Sequence, residues 1–235
     1  MISRFNHLKE IALKNALGVH LYSDVFIKMA ESRSPIFRAV ARKKAIRLIG
    51  GDKIVFIHIG KNAGTSINSI LYRRNPGHFP ASFYACSVPD IFYKCKSFAV
   101  LRDPVERFKS AARMFLQNGT RSVSIDPYFA TIANKMKSAG DILHWICDNY
   151  HDPYRIDTTF RSQKWYLSLE DRVIVNRLFS LERNFCELDD YVHSVCGKKI
   201  PHINTTEKVD LALSSTEVSR IENLYADDLE LFERI

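Results

Sequence analysis

Cysteine is scarce in this chain of 235 residues, and the five present, at 86, 95, 147, 186 and 196, form no Cys-x-x-Cys pair. An odd, scattered set gives neither a disulfide framework nor the ligand spacing of a metal site, so reduced and idle thiols are expected. No stretch approaches the roughly 18 consecutive apolar residues of a membrane span. The opening MISRFNHLKEIALKN lacks the apolar block and small-residue cleavage site of a signal peptide, which predicts a cytoplasmic protein. Repeats, low-complexity tracts and a second-domain boundary are also missing. What remains is ample for one core, since 46% of the residues are hydrophobic and a chain of this size needs no staples.

Charge of one sign is gathered at one end. The net charge is +8, and residues 1–50 hold ten Lys or Arg against three Asp or Glu, which accounts for +7 of it. The segment SPIFRAVARKKAIRLI (34–49) interleaves Arg38, Arg42, Lys43, Lys44 and Arg47 with Ile36, Phe37, Val40 and Leu48. It reads as a basic amphipathic helix, packed on the core with a solvated basic face or resting on an anionic lipid or glycan. Residues 1–50 are therefore expected to be a basic helical extension, a candidate for peripheral contact with the inner face of the membrane. Residues 51–235 form the single folded domain. Nucleic acid is not an expected partner, because the basicity is confined to one segment and no aromatic-basic repeat accompanies it.

Residues 54–66, IVFIHIGKNAGTS, carry the most chemistry. An apolar, β-branched run predicts a buried strand over 54–59, and Thr65-Ser66 open a helix expected over 66–72. A strand turning sharply into a helix aims several backbone N–H groups and the positive end of the helix dipole at one point. Lys61 adds a cation, and the hydroxyls of Thr65 and Ser66 add donors. The Walker A pattern GxxxxGK[ST] is not met, since only three residues separate Gly60 from Gly64 and the lysine precedes the second glycine. No Lys-Ser/Thr pair marks a Mg²⁺ ligand, so an anion is expected without a metal.

A second segment, SFAVLRDPVERFKSAAR (97–113), repeats the plan. Phe98 to Leu101 is a short strand, Asp103 a natural N-cap, and Pro104 suits a first helical turn. Val105, Phe108, Ala112 and Phe115 recur at helical spacing, predicting a helix over 104–116. Arg102 at the strand end and Ser110 two turns into the helix could clamp a phosphate together, Arg by charge-assisted, fork-shaped hydrogen bonds.

These two segments, in this order and some 40 residues apart, resemble the nucleotide-dependent sulfotransferases, in particular the branch that sulfates carbohydrates. GKNAGTS is similar to that family's loop for the 5′-phosphosulfate of 3′-phosphoadenosine 5′-phosphosulfate (PAPS). RDPVERFKSA is similar to its 3′-phosphate segment. The resemblance implies that Lys61, Asn62, Ala63, Gly64, Thr65 and Ser66 hold the sulfate end and that Arg102 and Ser110 hold the 3′-phosphate. Fainter likenesses lie at FRSQ (160–163), LFSLE (178–182), PHINT (201–205) and YADDLELF (225–232). One departure is Gly60, where the family often has proline. Animal members usually begin with a Golgi anchor, so the resemblance implies a soluble, bacterial-type enzyme.

The fold expected is α/β, a P-loop-like three-layer arrangement with a central parallel sheet flanked by helices. Further helices are predicted over 87–93, 184–196 and 215–232, and a strand within 173–181, with residues 121–165 mostly helical or irregular and rich in aromatics. Sulfuryl transfer needs alignment, charge neutralisation and removal of a hydroxyl proton. Lys61 is the candidate for stabilising the leaving oxygen. His78 is the first candidate for the general base, because the carbohydrate branch often carries a His in a comparable place and imidazole titrates near neutrality. Asp90 and His58 are lesser candidates, His58 reading better as a core histidine, and His202 could reach the nucleotide or acceptor from its late loop. Trp145, Tyr150, Tyr154 and Trp165 could stack on a sugar, although such aromatics are more often core. The acceptor implied is a carbohydrate or glycolipid, and the product adenosine 3′,5′-bisphosphate. The alternatives are a P-loop nucleotide kinase and a non-catalytic protein that binds nucleotide or glycan.

Overall fold

The computed structural model describes residues 2–50, 54–72, 76–119, 124–201 and 211–235. Three helices come first, α1 (Ile2–Leu17), α2 (Tyr22–Glu31) and α3 (Pro35–Ile49). Ser34 caps α3 by accepting from the Phe37 N–H, and Pro35 opens it where no donor is lost. Strand β1 (Ile54–Ile57) passes through a short loop into α4 (Gly64–Leu71). Helices α5 (Ala81–Ser87) and α6 (Pro89–Phe92) precede β2 (Lys96–Leu101) and α7 (Pro104–Leu116). Then come α8 (Pro127–Ala133), α9 (Ala139–Asn149), two 3₁₀ turns (Pro153–Arg155 and Thr158–Phe160) and α10 (Gln163–Leu167). The hairpin β3 (Ser168–Leu169) and β4 (Arg172–Val173), the strand β5 (Arg177–Ser180), and α11 (Phe185–Cys196), α12 (Ser215–Leu224) and α13 (Ala226–Glu233) complete the chain.

The main sheet has three strands in the order β1-β2-β5, all parallel. Its strands are short, and β1 and β2 are almost wholly buried, as strands of a parallel sheet covered on both faces are. Alternation along them feeds two apolar clusters. Val55, Ile57, Ala99 and Leu101 join Val25, Ile27, Ala41, Ala45 and Phe83 from α2, α3 and α5. Ile54, Phe56, Phe98 and Val100 join Ile67 of α4 with Leu188 and Val192 of α11. A parallel sheet flanked by helices is thus the architecture, as the alternation of elements implied.

The N-terminal helices are built into this core. Besides the apolar residues of α2 and α3, Asp24 on α2 receives two hydrogen bonds from Arg161, at 2.8 and 2.6 Å, and both side chains are fully buried. The outer face of α3 is different in kind. There Ile36, Val40 and Ile46 are 73%, 41% and 42% exposed, and Lys43 and Arg47 lie beside them. Among the described residues no helix is long and apolar enough to cross a membrane.

Several boundaries move. The helix expected over 87–93 is the shorter α6, and α5 before it was not expected; the two are separate because Val88 leaves helical geometry (φ −142°, ψ 56°) before Pro89, which has no N–H to continue the ladder. The closing helix expected over 215–232 breaks at Tyr225 (φ −109°, ψ 31°), whose buried hydroxyl donates to the Phe160 carbonyl at 2.6 Å. The strand expected within 173–181 resolves into the end of a hairpin and β5. Helix α4 starts two residues earlier than expected, at Gly64, and β1 stops at Ile57. The PHINT segment after Pro201, with His202, lies outside the described residues.

Candidate functional site

All three parallel strands end at one edge, the place where open α/β sheets hold their ligands. There β1 hands over to Gly60–Ala63, β2 to Arg102, and β5 to the turn that carries Glu182. Lys61 and Ala63 both adopt left-handed backbone, at φ 71° and 58°. A side chain makes that conformation costly, by about 1 kcal/mol or more each, unless the surroundings enforce it. With Asn62 between them they fold the loop into a concavity of backbone donors. Among the described residues no backbone hydrogen bond takes up the N–H groups of Lys61, Asn62, Ala63, Gly64 or Thr65, and Ala63 offers α4 no side-chain cap.

The loop is enforced from beneath. Asn62, almost fully buried, donates through Nδ2 to the Val100 carbonyl and to Gln163 Oε1, both at 2.7 Å. Arg107 Nε donates to the Gly60 carbonyl at 3.1 Å, and Arg102 Nη1 to the Lys61 carbonyl at 3.2 Å. Gly64 sits on the His58 ring so closely that a Cβ would lie 1.9 Å from His58 Cδ2. Gly60 faces Thr159, where a Cβ would meet Cγ2 at 3.2 Å. Both glycines answer a close approach, which explains why the loop reads Gly-x-x-x-Gly.

The electrostatics are one-sided. Lys61 Nζ lies 3.9 Å from Met114 Sδ and forms no ion pair among the described residues. Burial, then Arg102 and Arg113, pulls its ammonium down to about 8 from 10.5. Arg102 does meet a carboxylate, Glu182, at 3.3 Å from Nε. Burial nevertheless pushes the Glu182 carboxyl up, against the pull of Arg102. Arg107 Nη2 and Arg113 Nε are buried with no hydrogen-bond partner. Arg107, Ser110 and Met114 fall three and four residues apart on α7, so they share one stripe of that helix. Arg107 is buried and Lys61, Arg102 and Arg113 are half-buried, so the Lys61 ammonium and the unpartnered guanidinium nitrogens would gain from an entering anion.

His78 lies against the same loop, its Cε1 3.7 Å from where a Gly60 Cβ would stand. Its Nδ1 donates to the His58 carbonyl at 3.0 Å, which leaves Nε2 with the lone pair. Burial lowers its pKa, so the imidazole is neutral at pH 7 and able to take a proton. The His58 ring lies tilted against it, centroids 4.1 Å apart, and is held by Asn68 at 2.9 Å, and burial keeps its pKa well below the ordinary value.

The structure therefore brings Lys61, His78, Arg102 and the open N–H groups together, with Ser110 on the adjoining helix stripe. Thr65 is exposed at the start of α4, and Ser66 is buried. Asn62 turns its side chain into the interior, so only its backbone N–H is free for an anion. Asp90 is taken up on the surface by Arg42, through two hydrogen bonds of 2.8 and 2.9 Å. Trp145 packs among Phe115, Phe129 and Phe160 as a core residue. Among the described residues no three His, Cys, Asp or Glu side chains converge as a metal site. Arg107 and Arg113 belong to the site but were not singled out from sequence, and Gln163 was marked only as the end of the FRSQ likeness, without a role. The spacing of Arg107 with Ser110 and Met114 was the available signal for one of them. No family model, curated protein or solved structure matches this chain. The site stands on its own geometry.

Proposed function

We propose that the protein is a PAPS-dependent sulfotransferase of P-loop-like, three-layer architecture that acts on a hydroxyl of a carbohydrate or glycolipid. The observation that carries this reading is the loop of open N–H groups beside the Lys61 ammonium, which has no ion pair among the described residues, and the buried, unpartnered Nη2 of Arg107. In this reading the N–H groups of residues 61–65 and the Thr65 hydroxyl hold the phosphosulfate, the Ser66 N–H being taken by the Ala63 carbonyl at 3.1 Å, and Arg102 with Ser110 holds the 3′-phosphate. The acceptor oxygen attacks sulfur while the bond from sulfur to the bridging phosphate oxygen breaks. The hydroxyl proton passes to His78 Nε2, and Lys61 meets the charge that grows on the leaving oxygen. The products are the sulfate ester and adenosine 3′,5′-bisphosphate.

A nucleotide kinase would need a Mg²⁺ ligand beside the loop lysine, and the residue after Lys61 is an inward-facing Asn. The test is calorimetric binding of adenosine 3′,5′-bisphosphate against adenosine 5′-monophosphate, for the wild type and Arg102→Ala. Preference for the bisphosphate, reduced by roughly 2 to 4 kcal/mol in the variant, supports the reading. Indifference to the 3′-phosphate refutes it, and Mg²⁺-dependent binding of ATP moves the assignment to the kinase class.

A further inference from the structure

We propose that Gln163 is the positioning residue that fixes the spacing between the two anion-binding segments, and that Asp228 of the C-terminal helix holds it in place. The amide is fully buried at the start of α10, between the loop and the end of β2. Its Oε1 accepts from Asn62 Nδ2 at 2.7 Å and from the Arg102 N–H at 3.0 Å. Its Nε2 donates to the Arg102 carbonyl at 2.8 Å. One side chain thus grips the backbone of Arg102 from both sides and the loop through Asn62. Its own N–H donates to Asp228 Oδ2 at 2.7 Å, while Asp228 Oδ1 accepts from the Lys164 N–H at 2.8 Å and the Ser162 hydroxyl at 2.7 Å.

Only a primary amide satisfies this set. A carboxylate has no hydrogen for the Arg102 carbonyl, and an apolar side chain strands two buried donors and one acceptor. Closed networks of this kind fix geometry because every member loses when one moves. What is fixed here is the separation of Lys61 from Arg102, and hence, on the nucleotide reading above, the distance between the two phosphate positions. Gln163 touches neither phosphate in that reading, so its effect is on discrimination more than on chemistry.

The experiment uses the full chain and Gln163→Met, with two readouts. The first is calorimetric affinity for adenosine 3′,5′-bisphosphate and for adenosine 5′-monophosphate. The second is the titration midpoint of Lys61, read by NMR on ¹³C-labelled lysine without ligand. The expected result is a loss of about tenfold or more in the preference for the bisphosphate. The Lys61 midpoint should also rise above about 8 as Arg102 and the loop separate. Equal weakening of both ligands with an unchanged midpoint would show a merely structural role and overturn the proposal. If the wild type ignores the bisphosphate, the nucleotide reading has failed, and the Lys61 midpoint in Gln163→Met alone supports or overturns the positioning role. Should that variant not fold, Asp228→Asn takes its place with the same readouts, a raised midpoint supporting the proposal and an unchanged one overturning it.

Discussion

Raising the pH from 7 to 9 changes the charge of the cation on which the loop depends. Lys61, lowered to about 8 by burial and by Arg102 and Arg113, is mostly charged at pH 7 and mostly neutral at pH 9 before any ligand binds. A bound dianion in the concavity pushes the value back up, so at pH 9 binding carries a proton in with it. The population of charged Lys61 falls about tenfold over these two units, and the affinity for adenosine 3′,5′-bisphosphate should fall by the same factor, about 1.4 kcal/mol. The phosphates do not mask the effect, since monoester phosphate is already close to fully ionised above its second pKa of about 6. Folding stability should move the other way. A lysine whose folded value lies below its unfolded one leaves more protons on the unfolded chain between pH 8 and 10.5, so the ligand-free protein gains stability through that window. The full cost relieved is about 3 kcal/mol. Calorimetry at pH 7, 8 and 9, in buffers of different ionisation enthalpy, measures the affinity and counts the protons taken up. Lys61→Arg keeps the charge at every pH and should abolish the slope. A flat affinity in the wild type, or the same slope in Lys61→Arg, would refute the assignment of Lys61 to the anion.

Four other perturbations test separate parts of the structure. Gly64→Ala drives a Cβ into the His58 ring and should cost about 2 kcal/mol or more in a denaturant titration, and His58→Ala in the same chain should recover part of it. Arg161→Met leaves Asp24 buried and unpaired and should destabilise by about 3 to 5 kcal/mol, with Asp24→Leu added to it restoring most of the loss; a cost below 1 kcal/mol in the single variant would contradict the burial. His78→Gln should lower sulfuryl transfer about 100-fold while bisphosphate affinity stays within about twofold, and unchanged turnover would remove His78 as the base. The outer face of α3 should carry the protein onto phosphatidylserine vesicles at low salt and not onto phosphatidylcholine, and Ile36→Asp with Val40→Asp should abolish sedimentation; equal binding to both lipids would remove charge from the explanation.

The parts of the fold readable from sequence are those whose cause is local. The β1-loop-α4 turn was legible because a buried run ends in glycines, and α7 runs over 104–116 as expected because Asp103 caps it and Pro104 starts it. The β3-β4 hairpin was not, since its turn places Glu170 and Asp171 at positive φ (48° and 62°) with no glycine or asparagine to announce it. Tyr225 breaks the last helix because its hydroxyl reaches Phe160, a partner 65 residues away. The site divides in the same manner. Lys61 and Arg102 stand at strand ends, where chemistry is expected. Gln163 contacts Asn62 across 101 residues, and no local pattern announces such a pairing.

The buried pair of Asp24 and Arg161 bears on how the chain can be cut. Its basic first fifty residues look, by charge alone, like a detachable handle. Removing them would strip the Arg161 guanidinium, two positions before Gln163, of the carboxylate it pairs with. The outward side chains of α3 touch solvent and can be changed without opening the core, whereas α2 packs in the same apolar cluster as β1 and β2. A shortened version intended to improve solubility should therefore keep α2 and α3 in place and exchange their surface charges.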